Sequence, residues 1–183
     1  MTDSIDRRQL IVETAAALLS AGDGERLTHR RVAERAQIPL GSTTYYFTSL
    51  DDLRTAALGH LAAGVDESLA ATAALIEDSD RSPEAIARLF HDYLGETEHV
   101  RADTALYVAG LQNADLAPLS RRWFSGLVDV LADTLTDRRT ATSMAVFLDG
   151  AILNTVLWGK PLDLDVLTAM ARSLLGPTEA NDR

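Results

Sequence analysis

The chain contains no cysteine, only one lysine (Lys160), and few aromatic residues among its 183 positions. Without cysteine it cannot form disulfides, thiolate metal sites or a thiol redox switch. It also shows no basic, apolar leader and no long uncharged apolar run, so we expect a cytoplasmic protein that is neither secreted nor bound to a membrane. The remaining composition, 46% hydrophobic and 24% charged residues, suits one globular core or a small head with a larger body.

Sequence motifs for catalysis are missing as well. There is no glycine-rich phosphate loop, no Gly-x-Ser-x-Gly elbow and no Ser-x-x-Lys pair. One Glu-x-x-His spacing, from Glu96 to His99, is of the type used by di-iron helix bundles, but those sites need a second copy and further glutamates. We therefore expect no catalytic residue, no metal site and no cofactor. A helical-bundle enzyme remains the alternative that this single motif suggests.

The formal net charge of −10 is unfavourable for binding DNA, because phosphate groups repel an acidic protein at long range. The charge is unevenly distributed, however. Residues 1–54 carry seven arginines and eight acidic residues, a net of −1, whereas residues 55–183 carry ten basic and nineteen acidic residues, a net of −9. Four arginines and a histidine cluster in the head, namely Arg26, His29, Arg30, Arg31 and Arg35. The head is therefore locally basic.

Helical periodicity predicts an all-α protein of about nine helices. The apolar spacing from Ile11 to Leu19 indicates a first helix over about residues 5–21, which the glycine-rich segment 22–24 would end. Start signals at Thr28, Pro39, Ser49 and Ser82 predict the next four helices, the third of these being long and reaching about residue 77. Further helices are predicted over about residues 101–113, 118–136, 140–158 and 163–175.

Residues 28–53 carry the functional prediction, because their sequence predicts two short helices joined by a tight turn and followed by a capped third helix. This arrangement presents one helix to the major groove of DNA. Thr28 and Arg30 would offer a hydroxyl, free amides and a cation to phosphate. The expected core of the head is Val32, Ala33, Ile38, Phe47 and Leu53 with Leu10, Ala17 and Leu18. The candidate DNA contacts are Thr28, Arg30, Leu40, Ser42, Thr43, Thr44, Tyr45, Tyr46 and Ser49.

This segment resembles the DNA-binding head of the tetracycline-repressor (TetR) family of bacterial regulators. The positions that match or conservatively replace the family pattern are Thr28, Arg30, Val32, Ala33, Ala36, Ile38, Gly41, Phe47, Ser49 and Leu53. The chain departs from the pattern at Gln37, which replaces a turn glycine, at Thr44, which replaces a phosphate-contacting tyrosine, and at Leu50, which replaces a lysine. We expect a helix-turn-helix DNA-binding domain over residues 1–48 and a helical effector-binding and dimerisation domain over residues 49–183.

A single head reads only a short half-site, so we expect a homodimer that binds a palindromic operator in double-stranded DNA. The resemblance implies a four-helix interface from the last two helices of each chain. The candidate interface residues are Met144, Leu148, Ile152, Thr155, Val156, Leu164, Leu167, Ala171 and Leu174. The alternative is that both apolar stripes belong to the core of one chain.

The resemblance also implies that the middle helices bind a small-molecule effector, which would release a repressor from its operator. Aromatic surface with a few polar anchors suits such a pocket. The candidate ligand-binding residues are Tyr93, Tyr107, Gln112, Asn113, Trp123, Phe124, Phe147 and Asn154, each of which could instead be an ordinary core or surface residue. We expect a largely apolar effector. The rival function is a helical small-molecule binding protein with weak or lost DNA binding, which the acidic balance and Leu50 suggest.

Overall fold

The computed structural model describes residues 2–20 and 27–176, with the side chains of residues 6–20, 27–97 and 99–176. These residues form helices α1 (Thr2–Ser20), α2 (His29–Ala36), α3 (Leu40–Tyr46), α4 (Leu50–Glu77), α5 (Pro83–Gly95), α6 (Thr97–Gln112), α7 (Ala117–Thr134), α8 (Arg138–Trp158) and α9 (Leu164–Leu175). The described part contains no strand. The prediction of an all-α chain with about nine helices is confirmed.

Several helices begin where a side-chain oxygen accepts a hydrogen bond from a free backbone N–H group, as helix N-termini require. Thr28 Oγ1 accepts from the N–H of Arg31 at 3.2 Å. Ser82 Oγ accepts from the N–H of Ala85 at 3.1 Å, and Pro83 occupies the first turn of α5. These are two of the predicted start signals. The predicted stop at residues 22–24, and the side chain of Arg26, lie outside the described residues.

The chain groups into two compact units that are not contiguous in sequence. The first unit comprises Met1–Val65 and Ala105–Ser120, and the second comprises Asp66–Thr104 and Arg121–Arg183. Helices α4, α6 and α7 therefore each contribute residues to both units. The predicted domain boundary after residue 48 lies at the start of α4 and stays a prediction.

The core of the first unit is formed by one face of α1 with residues from the next three helices. Its buried residues are Ile11, Val12, Ala15, Ala16, Leu27, Val32, Phe47, Leu53 and Ala57. Leu18 and Ile38 pack against it, as predicted. The prediction of Leu10 and Ala17 was wrong, since both are exposed. Helix α1 is apolar on neighbouring faces, and the face of Ile11 and Ala15 turns inward.

In the second unit, α5 packs mainly against α9 and also against α8. The buried residues of these three helices include Ile86, Ala87, Phe90, Leu94, Met144, Ala145, Leu148, Ile152, Leu167 and Ala171. At the surface, the Arg172 guanidinium donates to Glu84 Oε1 at 2.6 Å and links α9 to α5. Arg122 forms two hydrogen bonds with the Asp66 carboxylate, at 2.8 and 2.7 Å, and links α7 to α4.

Helix α8 is, among the described helices, the one that is long and apolar enough to cross a membrane by length and composition. It nevertheless carries Asp149 near its middle, and its inner face packs into the core of the second unit. Only 39% of its most apolar window is buried. We therefore treat α8 as a core helix that has a second, exposed apolar face.

Candidate nucleic-acid interface and effector region

The turn between α2 and α3 keeps the left-handed conformation that glycine usually supplies. Gln37 has φ 56° and ψ 43°, a region that costs a residue with a Cβ about 1–2 kcal/mol. The N–H of the next residue, Ile38, donates to the carbonyl oxygen of Ala33 at 3.0 Å and closes the turn. The sequence departure at Gln37 therefore adds strain to the turn without opening it.

Helix α3 has an inner face that belongs to the core of the first unit. Thr43 is fully buried, and its Oγ1 donates to the carbonyl oxygen of Leu40 at 2.8 Å. Tyr46 is partly buried against the core, and its ring meets that of Tyr45 edge to face, with 5.0 Å between centroids. Ser42 is only half exposed. Thr43, a candidate base contact, thus lies where DNA cannot reach it in this conformation.

The outer face of α3 is largely apolar and carries no charge. Leu40 is 49% exposed and Tyr45 is 79% exposed. Gly41 and Thr44 are exposed beside them, and Thr44 Oγ1 donates to the carbonyl oxygen of Gly41 at 3.3 Å. We call these four residues the α3 outer face. They are the part of the recognition helix that can approach a groove.

Two hydroxyls among the candidate DNA contacts cap the helices on either side of α3. Thr28 Oγ1 accepts from a backbone N–H at the start of α2. Ser49 Oγ accepts from the N–H of Asp52 at 3.0 Å at the start of α4. In the Thr28 bond the hydroxyl oxygen is the acceptor, so the hydroxyl hydrogen can still donate to a phosphate oxygen. The Ser49 hydroxyl already donates to the Asp52 carboxylate, which helps to lower the pKa of Asp52. Both residues are exposed.

Arg30, the predicted cation of the interface, is held by an acidic residue one turn further along α2. Its Nε donates to Glu34 Oε1 at 2.8 Å, and both side chains are mostly exposed. The hydrogen bond and charge of Glu34 raise the pKa of Arg30 above its ordinary value. Glu34 therefore competes with phosphate for this guanidinium.

The predicted ligand-binding residues divide between the two units, and their assignment as one site stays a prediction. Tyr107, Gln112 and Asn113 belong to the first unit, and the remaining five belong to the second. Gln112 is exposed, while Asn113 Oδ1 accepts from the N–H of Asp115 at 3.0 Å in the turn after α6. The side-chain amides of Gln112 and Asn113 thus lie at the C-terminal end of α6 and in the turn that follows it. Asn154 lines an open groove of about 260 Å³ with Trp158, Lys160, Pro161, Leu162, Asp163 and Val166.

The second unit brings together three polar side chains that were not predicted to lie close to one another. The Tyr93 hydroxyl of α5 donates to Asp103 Oδ2 of α6. Burial, together with the charge of Asp149 of α8, raises the pKa of Asp103 to about 7. A donated hydrogen bond by itself favours the ionised carboxylate, so these two effects outweigh it. Both carboxylates are half-buried. We call Tyr93, Asp103 and Asp149 the acidic group.

Trp123 of α7, another predicted ligand contact, is only 4% exposed, and its Nε1 has no hydrogen-bond acceptor. A buried N–H group without a partner costs about 1–3 kcal/mol. Ser120 Oγ of α7 donates to the carbonyl oxygen of Leu106 of α6 at 3.0 Å.

The predicted dimer residues lie mostly inside the second unit. Six of them are buried there, namely Met144, Leu148, Ile152, Thr155, Leu167 and Ala171. Leu164 and Leu174 are half-buried, and Val156 is exposed. The opposite side of α8 carries exposed Val146, Gly150, Leu153 and Leu157 at positions i, i+4, i+7 and i+11. We call these four residues the α8 outer face.

The Glu96 and His99 pair gains no further ligands among the residues that the structure describes. Within them, no group of three or more His, Cys, Asp or Glu side chains could hold a metal ion. The Glu98 side chain lies outside the described residues.

Comparison with known protein families identifies the family of this chain. Residues 77–177 match the family model described as tetracyclin repressor-like, C-terminal domain. This match covers more than half of the chain, and it falls in the body, whereas the sequence motif lies in the head. The chain therefore belongs to the TetR family of helix-turn-helix, DNA-binding transcriptional regulators.

Individual relatives agree with this assignment. A TetR-family member from Streptomyces coelicolor A3 is 34% identical, with 92% of this chain and 98% of that chain covered and a TM-score of 0.69. The multidrug binding protein EbrR complexed with imidazole is 34% identical, with 96% and 98% covered and a TM-score of 0.68. The transcriptional regulator BetI of Burkholderia mallei (strain NCTC 10229) is 28% identical over 181 residues, with 93% of this chain and 92% of that protein covered.

Proposed function

We propose that the protein is a dimeric repressor that binds a palindromic operator through α3 and is released by a small aromatic cation. The observation that supports DNA recognition is that the α3 outer face is exposed to solvent. The capping residues Thr28 and Ser49 flank α3 in sequence. A helix that projects side chains, with phosphate contacts from its neighbours, is how this motif reads a groove.

In vitro selection from a randomised duplex library tests the DNA-binding part of the proposal. The full-length protein should enrich a palindromic sequence, and the affinity for that duplex should fall steeply as salt rises. Arg30→Ala should weaken binding to all duplexes and reduce the salt dependence. Enrichment of no sequence at either of two salt concentrations would contradict the proposal.

The α8 outer face supports the dimer. Its three large residues leave a continuous apolar stripe exposed, and Leu157 is followed by Trp158, which is also exposed. A Cβ built on Gly150 would meet nothing within 4 Å, so a partner helix could approach closely there. Four such exposed positions on one helix face are typical of an association surface.

Sedimentation velocity tests this surface. Leu153→Asp places a charge on the α8 outer face without touching the core, and should convert a dimer to a monomer with unchanged helix content. Leu75→Asp is the matched control, since Leu75 is another exposed leucine but lies on α4. It should leave the dimer intact. A wild-type monomer, or a dimer insensitive to Leu153→Asp, would refute this choice of interface.

The acidic group supports the class of effector. EbrR has been solved in complexes with malachite green, proflavin and ethidium, all of which are aromatic cations. In this chain, half-buried Asp103 and Asp149 supply negative charge, and Tyr93 supplies an aromatic face. Such groups fit a ligand with a positive charge on an aromatic frame.

Titration of the protein alone with malachite green tests this class. Because a cation binds best to the ionised carboxylate, affinity should rise as the pH passes through about 7, the pKa of Asp103. Asp103→Asn should weaken binding and abolish this pH dependence, whereas Asp133→Asn, at an exposed position of α7, should do neither. Equal binding of malachite green by the Asp103→Asn variant would exclude the acidic group as the effector site.

We propose α4 as the element through which the effector changes operator affinity, because this single helix runs from Leu50, close after the recognition helix, into the second unit. An effector can shift the DNA-binding equilibrium only by its differential affinity for the two conformations.

A small-molecule binding protein with weak DNA affinity is the second candidate function. Two observations favour it: Glu34 occupies Arg30, and the first turn of α4 carries Asp51 and Asp52 where a phosphate contact is expected. Effector binding without salt-dependent operator binding would identify this function.

A further inference from the structure

The recognition helix lacks the side chains that usually read bases by paired hydrogen bonds. Helix α3 has the sequence Leu-Gly-Ser-Thr-Thr-Tyr-Tyr and contains no Arg, Lys, Asn, Gln, Asp or Glu. Bidentate contacts to guanine or adenine need the first four of these, and acceptance from cytosine needs the last two. Sequence reading by α3 must therefore use other groups.

The two threonine hydroxyls of α3 are also poorly placed to replace those contacts. Thr43 is fully buried and bonded to the carbonyl oxygen of Leu40. Thr44 is exposed, but its hydroxyl hydrogen is donated to the carbonyl oxygen of Gly41. The groups exposed at this part of α3 are the isobutyl group of Leu40, the backbone at Gly41 and the methyl group of Thr44.

In the major groove only one base offers an apolar group, the C5-methyl of thymine. We propose that Leu40 and Thr44 read thymine methyl groups, and that the operator half-site places thymine, on either strand, opposite the α3 outer face. This inference rests on the proposed DNA-binding function and names the feature of DNA that the site recognises. Gly41 supports it, because a Cβ there would meet nothing within 4 Å and its absence lets the groove edge approach.

Deoxyuridine substitution tests the proposal, since uracil lacks only the methyl group and keeps every hydrogen-bonding group of thymine. The probe is the duplex enriched from the random library by the full-length wild-type protein, resynthesised with deoxyuridine at one thymine at a time. Wild-type affinity should fall about fourfold at each thymine whose methyl is contacted, the effect of losing one buried methyl group. Leu40→Ala should remove this sensitivity at one thymine, as a double-mutant cycle requires.

Two further variants make the result specific. Thr44→Ser deletes one methyl group and keeps the hydroxyl, so it should remove the sensitivity at a different thymine while the fold is unchanged. Leu75→Ala, at an exposed leucine of α4, should retain the full wild-type response. Selective binding in which no deoxyuridine changes the affinity would overturn the inference alone. Enrichment of no sequence would overturn both the inference and the proposed DNA-binding function.

Discussion

Replacing Asp103 by asparagine should stabilise the protein, and should do so only above acid pH. Asparagine has nearly the same volume and keeps a carbonyl oxygen that can accept from Tyr93. It cannot ionise, however. In the folded chain, burial and the charge of Asp149 raise the pKa of Asp103 from 3.8 to about 7. The wild-type chain therefore loses stability whenever the solution favours an ionised carboxylate.

The sign and size follow from proton linkage. Below about pH 4 the carboxyl is protonated in both states, and Asp103 contributes no pH dependence. Between pH 4 and pH 7 the unfolded chain releases the proton and the folded chain retains it, so the free energy of unfolding falls as pH rises. A shift of roughly three pKa units corresponds to about 4 kcal/mol. Most of this loss, about 3 kcal/mol, should develop between pH 4.5 and pH 7.5.

Urea denaturation followed by circular dichroism, at several pH values over this range, provides the assay. The difference in unfolding free energy between Asp103→Asn and wild type should grow with pH by the amount above. Asp66→Asn is the control. Because Arg122 lowers the pKa of Asp66 from 3.8, the ionised form is the stabilising one and is already present throughout this range, so this variant should be less stable than wild type by a nearly constant amount. A constant offset between Asp103→Asn and wild type at all pH values would refute a neutral, buried Asp103.

Three further predictions concern the head. Gln37→Gly should raise the free energy of unfolding by about 1 kcal/mol, because glycine adopts the left-handed turn without strain; an unchanged or lower melting temperature in a thermal scan would contradict this. Glu34→Gln should tighten binding to every duplex by a few-fold, most at low salt, by freeing Arg30 for phosphate; anisotropy titrations that match wild type would count against the competition. Tyr45→Phe should weaken all duplexes equally, by about fivefold, if its exposed hydroxyl binds phosphate; a change in base preference would assign Tyr45 to base reading instead.

Much of the head could be predicted from sequence because its signals are local. Caps at Thr28 and Ser49, the turn before Pro39 and the buried Phe47 are each determined by neighbouring residues. The inner face of α1 was not predictable in the same way. Its apolar residues cover adjacent faces, so periodicity alone could not exclude Leu10. The burial of Thr43 also depends on packing with other helices.

The body was harder because its helices are apolar on more than one side. Helix α8 carries one stripe through Met144 and Leu148 and another through Val146 and Leu153, and only packing decides which faces the core. The acidic group had a sequence signal, since Asp149 interrupts the apolar residues of α8. Its convergence with Asp103 joins separate helices, which no local pattern records.

Effector binding in the second unit should lower the affinity of the head for its operator, and one titration measures this coupling. The full-length protein is bound to its selected, fluorescently labelled duplex, and malachite green is added while anisotropy is followed. Malachite green is preferred to ethidium or proflavin because those dyes intercalate into DNA themselves. The dye should release wild-type protein from the duplex and should fail to release Asp103→Asn. Sequence-selective binding that saturating malachite green leaves unchanged would contradict it.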